Sequence, residues 1–509
     1  MTRQFACFSS TALALGLMAN TVAAEVTPAD VWGDITAYVQ GFGYSVMATE
    51  TAEGSDLQVT DAVISMTLPE DEGEVSFSMS EVLLSDAGDG TVRVTFPASM
   101  PIAVNVTPDG EDPVDVVMDY TQEGLDMVVS GDPGAMVYSY TADSLGLVLS
   151  GLTVDGVPIP AEVARFALSS GPVEGRSAVT LSGGMREIDQ SVTVGAVTYD
   201  MAFNDPDSGD SGTFTGQMTG LAIAGTGKMP QIVTPEMLAD MMAMGVEGSG
   251  TFTHQGGQMQ FSATDGGEVT QGQTSSQSGS LAVDVTADSL RYSIGGTGLS
   301  VSLSGGEIPL PVDVAMAEMG LTLELPTAAS DTPEDIALAV TLGGFTMSDL
   351  LWNIFDPGNV LPRDPATVAF DLAGMVTPFI SLYDTEALAQ LEQTGGVPGE
   401  LNALTLKGLT VEAAGVSLTG TGDFTFDNSD LESFDGLPKP TGAVNLNLSG
   451  ANALIDKLIQ MGLLAEEDAM GPRMMMGMFA VPGDGPDELK STLEINEQGH
   501  ILANGQRIQ

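Results

Sequence analysis

Alternation with a period of two, interrupted every few residues by glycine or proline, constrains this chain more than any other feature. Val75-Ser76-Phe77-Ser78-Met79, Val92-Arg93-Val94-Thr95-Phe96, Leu299-Ser300-Val301-Ser302-Leu303 and Leu321-Thr322-Leu323-Glu324-Leu325 each place an apolar residue at every second position. Successive side chains of a strand point to opposite faces, so every such run makes one apolar face and one wet face. The 62 glycines and 27 prolines cluster between the runs, which is the pattern of many short strands joined by turns. Asp155-Gly156 and Asn504-Gly505 read as tight hairpin turns, because glycine accepts the positive φ they need. The expected fold class is mainly β: large curved antiparallel sheets with a few short capped helices.

The helices are marked by their starts. In Thr27-Pro28-Ala29-Asp30 a threonine caps, a proline fits the first helical position and an acid occupies the first turn. Thr234-Pro235-Glu236 opens a second helix carrying Met237, Leu238, Met241 and Met242, and Gly245 ends it. Thr332-Pro333-Glu334 and Thr346-Met347-Ser348-Asp349 read as further starts. Residues 452–461 and 466–478 read as a helical pair broken at Gly462. Thr141-Ala142-Asp143-Ser144-Leu145 recurs as Thr286-Ala287-Asp288-Ser289-Leu290, and each copy runs on to a proline-spaced exit, Val157-Pro158-Ile159-Pro160 and Ile308-Pro309-Leu310-Pro311. An internal duplication is the expectation. The units would be a signal peptide at 1–24, a β unit with its leading helix at 25–165, a second β unit at 166–330, a helical connection at 331–400 and a C-terminal β module with the helical pair at 401–509.

The first 24 residues combine Arg3, an apolar run from Phe5 to Met18 and the small residues Ala23 and Ala24. That is the order of a cleaved secretory signal, so the expected location is the periplasm, with the medium or the cell surface as alternatives. The run is short for a bilayer span, and no transmembrane segment is expected after cleavage. Cleavage also removes Cys7, the one cysteine, so the mature chain has neither disulfide nor thiol chemistry.

Asp and Glu number 69 against 14 Lys and Arg, a net charge of −55. Loss of Arg3 with the leader leaves 13 cations against 69 acids, a net −56. Nucleic-acid binding needs cationic patches to neutralise phosphates, and so few scattered cations exclude it. Anionic membrane surfaces are disfavoured on the same ground. Nucleophilic catalysis finds no support: the histidines are His254 and His500, and neither accompanies a nucleophile motif. Two histidines without cysteine make a poor zinc site. Asp205-Pro206-Asp207-Ser208-Gly209-Asp210 looks like half a calcium loop, but its glycine falls one place early and Gly216 stands where the closing glutamate belongs. A polar turn is the simpler reading. No catalytic residue, metal ligand or cofactor is assigned, and the chain is expected not to be an enzyme.

Methionine is abundant, at 28 residues. Met237, Met241 and Met242 on one helix, and Met474, Met475 and Met478 on another, fit core packing, an adaptable surface for an apolar ligand or partner, or a thioether copper site.

Gly420-Thr421-Gly422-Asp423-Phe424-Thr425-Phe426, Asp435-Gly436-Leu437-Pro438, Met461-Gly462-Leu463-Leu464 and Gly471-Pro472-Arg473-Met474-Met475-Met476-Gly477 resemble the domain-of-unknown-function family 2125 of alphaproteobacteria. The leader, the Thr27-Pro28 helix and the length also resemble it. No activity comes with that likeness. The C-terminal strands, helical pair and closing hairpin are similar in texture to the end of AsmA-type envelope proteins, which implies a link to lipid traffic. The sequence therefore points to a non-catalytic binding or scaffold protein of the cell envelope, with a lipid or an envelope protein as partner. A structural or adhesive surface protein is the alternative, and a hydrolase the third reading.

Overall fold

The alternating runs do form strands, and several strands are far longer than their glycine punctuation suggests. The computed structural model describes residues 25–67, 73–108, 112–233, 242 and 244–509. Among these, 29 strands form one sheet with antiparallel pairing throughout. Met185–Asn204 and Ser211–Pro230 each run for 20 residues. Each crosses a bend and changes partners there. Residues 185–194 pair with Val173–Ser182, while 197–203 pair with Ala164–Ser170. Residues 222–228 pair with Glu247–His254, while 211–219 pair with Gly256–Asp265.

The long strands Met185–Asn204, Ser211–Pro230, Ser289–Gly305 and Ile308–Pro326 bend along one seam. Gly195 and Gly220 meet there, and the regular register skips both. Gly220 has φ 59° and Gly298 has φ 58°, values that a side chain resists. A Cβ on Gly298 would also lie 2.5 Å from Gln277. Where a strand ends at the seam, the next begins beyond it. Asp143 N donates to Glu123 O (2.8 Å), Gln255 N to Thr219 O (2.8 Å) and Gln277 N to Thr297 O (2.9 Å), which keeps the ladder closed round the corner. The result is a trough with a long limb and a short limb. The short limb ends at residues 308–313 of Ile308–Pro326. Along that stretch no described strand pairs on the outer side, although Ser348 N donates to Asp313 O at 2.9 Å. Pro309 and Pro311 share that side and have no N–H for an added strand.

Helix α1 (Pro28–Gly41) starts as the sequence predicts, with Thr27 and Asp30 forming a capping box. It lies inside the bend. Val31 and Trp32 pack with Leu57, Val59, Leu84, Val92, Val94 and Val129, and residues of both limbs, including Val46 and Met79, join them. This is where the core sits. Arg186 grips Asp34 of α1 through two hydrogen bonds of 2.8 Å, and Tyr138 Oη donates to the same carboxylate at 2.7 Å. The Arg186 guanidinium also lies 4.6 Å from the Tyr38 ring centre. Burial first, then the Asp34 charge, pushes the Tyr138 hydroxyl well above its ordinary pKa, so it stays a donor.

Among the described residues four further helices flank the sheet: α2 (Asp349–Phe355), α3 (Thr385–Thr394), α4 (Ala451–Gln460) and α5 (Glu466–Phe479). The last two are the expected pair, separated at Gly462 (φ 72°). The stretch read as a helical connection instead carries two strands, Glu334–Met347 and Ala366–Pro378, beside α2 and α3. Thr332-Pro333-Glu334 therefore opens a strand. The alternation Ile336, Leu338, Val340, Leu342 outweighs the cap signal, because the neighbouring strand offers those residues an apolar face. The sheet passes through residues 165 and 330 without a break. The two copies of the pentapeptide are not equivalent. Asp143 crosses the seam, whereas Thr286–Asp288 is a hairpin turn in which Thr286 N donates to Ser289 O at 2.9 Å. Placement thus gives the expected duplication no support.

Candidate functional site

The register assembles one apolar face along the whole trough. On the long limb, Val192, Ile223, Phe252, Leu281, Ile294, Leu321, Val340, Phe370 and Leu409 lie opposite one another in unbroken succession across nine strands. On the short limb, Phe166, Met201, Phe214, Phe261, Gly272, Leu303 and Val312 do the same. Phe214 and Phe261 stack with ring centres 6.0 Å apart. Gly272 leaves room for them: a Cβ there would lie 2.2 Å from the Phe261 ring.

This face is the inside of the bend. Met100, Ala142, Val173 and Leu221, which sit on it close to the seam, are all buried. The outer face takes the charges. Arg291 pairs with Glu324 (2.6 Å), Arg165 with Asp200 (2.8 Å), Lys407 with Asp371 (3.8 Å) and Lys228 with Glu187 (3.9 Å). Period-two alternation thus sorts the charged residues to one side of a single layer.

Cover on the inner face is uneven. Among the described residues, no apolar side chain between 222 and 360 is fully buried. In a two-layer sandwich the inward residues of both sheets would be. Phe252, Leu281, Ile294, Leu321, Leu323 and Phe370 are instead half-buried, and Leu342 and Val368 are more than 40% exposed (41% and 44%). Beyond the reach of α1 the trough is lined but not filled. A cavity where α1 ends, bounded by Tyr38, Phe42, Ile188, Val283 and Val285, marks the change.

The inner face has little to do chemistry with. On the long limb beyond α1 it carries His254, sitting opposite Gly279 with its Nδ1 unpartnered, Tyr292, opposite Val283 and Leu323, and Glu334 at the far end of its strand. His500 lies in the closing hairpin, where its backbone N donates to Asn496 Oδ1 at 3.0 Å. Among the described residues no group of three or more His, Cys, Asp or Glu side chains is placed to hold a metal ion. Asp205–Asp210 is a hairpin turn that satisfies itself. Asp205 accepts from Asp207 N (2.8 Å) and Ser208 Oγ (2.9 Å), and these bonds hold its carboxyl below the ordinary range.

The methionines divide. Met237 and Met241 lie outside the described residues. Met242 is half-buried, and its carbonyl accepts from Gly245 N at 3.0 Å. Met474, Met475 and Met478 on α5 are 70%, 57% and 54% exposed, and Met470, one turn earlier, is 70% exposed. They are not core. Met470, Met474 and Met478 recur every fourth residue and so share one stripe of the helix. Arg473 ties α5 to Asp456 of α4 on another side. Sequence reasoning missed the trough itself, because the seam is visible only once strands are paired.

Among the described residues no helix is long and apolar enough to cross a membrane, which says nothing of crossing with strands. Residues 252–503 match the model of a family described as an uncharacterized protein conserved in bacteria, DUF2125. The match begins where the trough loses its cover. No curated protein matches the chain. Among solved structures it is similar to the ferric citrate transporter FecA in its unliganded form, at 9% identity over 91% of this chain and 76% of that one. The TM-score is 0.15, too low to carry an argument.

Proposed function

We propose that this chain, a member of the DUF2125 family over residues 252–503, is a non-catalytic binding protein of the cell envelope that holds the hydrocarbon chains of a lipid in its trough. The observation that carries the reading is the uncovered inner face, apolar from Val192 to Leu409 along a single rung. Exposed apolar surface on that scale is costly in water unless something covers it. The cover must itself ask for few hydrogen bonds. A peptide laid on this face would leave backbone N–H and C=O groups unpaired, each costing about 1–3 kcal/mol. Edge pairing, its usual remedy, is obstructed on the short limb by Pro309 and Pro311. Hydrocarbon chains have no such groups to satisfy. The secretory leader supports the envelope location, and the scarcity of ionisable groups on the face supports binding without chemistry.

The test is native mass spectrometry of protein taken from its own envelope, followed by delipidation and refilling with a fluorescent zwitterionic phospholipid. Lipid adducts that delipidation removes and refilling restores are expected. Leu323→Glu combined with Phe370→Glu should abolish refilling while the protein stays folded, since both side chains are only half-buried. Protein that carries no lipid and takes none up would overturn the proposal.

A further inference from the structure

The head group that such a trough admits is written in its charges; this step rests on the trough holding hydrocarbon chains. We infer that it takes amphiphiles with uncharged or zwitterionic head groups and turns away anionic ones. The lining of the uncovered half offers no lysine or arginine on either of the rungs described above, so a buried anionic head would find no partner there.

The rim repels as well. The short-limb hairpin turns at 204–211, 265–268 and 305–308 carry Asp205, Asp207, Asp210, Asp265, Glu268 and Glu307, with no lysine or arginine. Gly266 N donates to Asp210 Oδ1 at 3.0 Å, so the first two turns are neighbours. Eight of the chain's cations are engaged elsewhere. Arg165, Lys228, Arg291 and Lys407 pair with carboxylates on the outer face, and Arg363, Lys439, Arg473 and Lys490 pair beside the flanking helices and turns. An anionic head approaching this rim meets several like charges within the screening length of about 10 Å at 0.1 M salt. A zwitterionic head of the same size does not carry that penalty.

The experiment compares fluorescent phosphatidylcholine and phosphatidylglycerol with identical acyl chains. Binding to the mature full-length protein is measured without divalent cations, at low salt and at roughly 1 M salt, where screening shortens to about 3 Å. Phosphatidylcholine should bind about tenfold tighter or more at low salt, and the gap should narrow at high salt. A variant carrying Asp207→Lys, Asp265→Lys, Glu268→Lys and Glu307→Lys, all exposed turn residues, should gain phosphatidylglycerol binding and keep its affinity for phosphatidylcholine. Equal binding of the two lipids by the unmodified protein at low salt overturns the charge inference and leaves the trough reading standing. So does a gap that neither salt nor the lysine variant moves. Capture of neither lipid overturns the trough reading, and this one with it.

Discussion

Replacing Asp34 by alanine should detach α1 from the sheet. The Asp34 side chain is 3% exposed and that of Arg186 is 9% exposed. Both terminal guanidinium nitrogens donate to Asp34 at 2.8 Å, and Arg186 Nε is already buried without a partner. Loss of the carboxylate leaves a buried cation with only the Tyr38 ring, 4.6 Å away, to stabilise it. Breaking a buried pair from one side typically costs about 3–5 kcal/mol. Tyr138 Oη loses its 2.7 Å acceptor in the same step. The paired change Asp34→Leu with Arg186→Met removes both charges at similar volume and should lie within about 1–2 kcal/mol of the parent. Urea unfolding followed by Trp32 fluorescence reads this directly, in a Trp352→Phe background. Trp32 is 8% exposed within the same core, and its indole N–H donates to Glu50 at 2.8 Å. An Asp34→Ala shift under about 1 kcal/mol, or a paired variant destabilised as much as the single one, would show that water reaches the pair and that the lock is not buried.

Alanine at Met474, Met475 and Met478 together should cost less than about 1.5 kcal/mol in urea unfolding, because exposed substitutions stay within roughly 0.5 kcal/mol each; a loss of several kcal/mol would place them in a core. Asp356 should contribute to acid stability. Burial works to raise its carboxyl, but hydrogen bonds from Val360 N and Leu361 N, both 2.9 Å, and nearby Arg363 outweigh burial and hold it below the ordinary 3.8. A carboxyl lowered on folding stabilises fully above its unfolded value and loses that contribution as pH falls through its folded value. Asp356→Asn should therefore flatten the stability profile below about pH 4, measured by urea midpoints across pH; an unchanged acid limb would refute this. The melting temperature should rise from low salt to seawater-like salt, since 14 cations face 69 acids in the chain. A flat or falling curve would mean the acids are already neutralised by bound ions.

The sequence makes local features legible and hides the one feature that joins them. Thr27 and Asp30 announce α1, and Asp155-Gly156 and Asn504-Gly505 form the expected turns with positive φ at both residues. The alternation of Leu321, Leu323 and Leu325 fixes which side of the sheet is apolar. Nothing local tells that Gly195 will meet Gly220, because the seam exists only across strands. Asp487 is similarly hidden. It caps the start of α4 by accepting from Ala453 N at 2.9 Å and from Asn452 Nδ2 at 2.7 Å, across 34 and 35 residues of chain. The cap expected at 332 misleads for the opposite reason: a local signal was present, and tertiary pairing overrode it. The methionines of α5 have helical spacing whether they face a core or water, so only their exposure separates those readings.

The concentration of buried side chains around α1 has a consequence for how the chain comes together. Ordering a residue costs about 1–2 kcal/mol of backbone entropy, and the α1 end is where enough apolar area is buried to offset it early. A nucleus therefore belongs at the N-terminal end, which is also the first to leave the ribosome. Most later strands pair with a neighbour one turn away, so closing each new loop costs little. Growth then proceeds by templated addition toward the C-terminus, much as a solenoid propagates from a stable cap. Chains cut at a hairpin turn late in the sequence should retain the earlier part of the row, whereas loss of α1 removes the place from which the row begins.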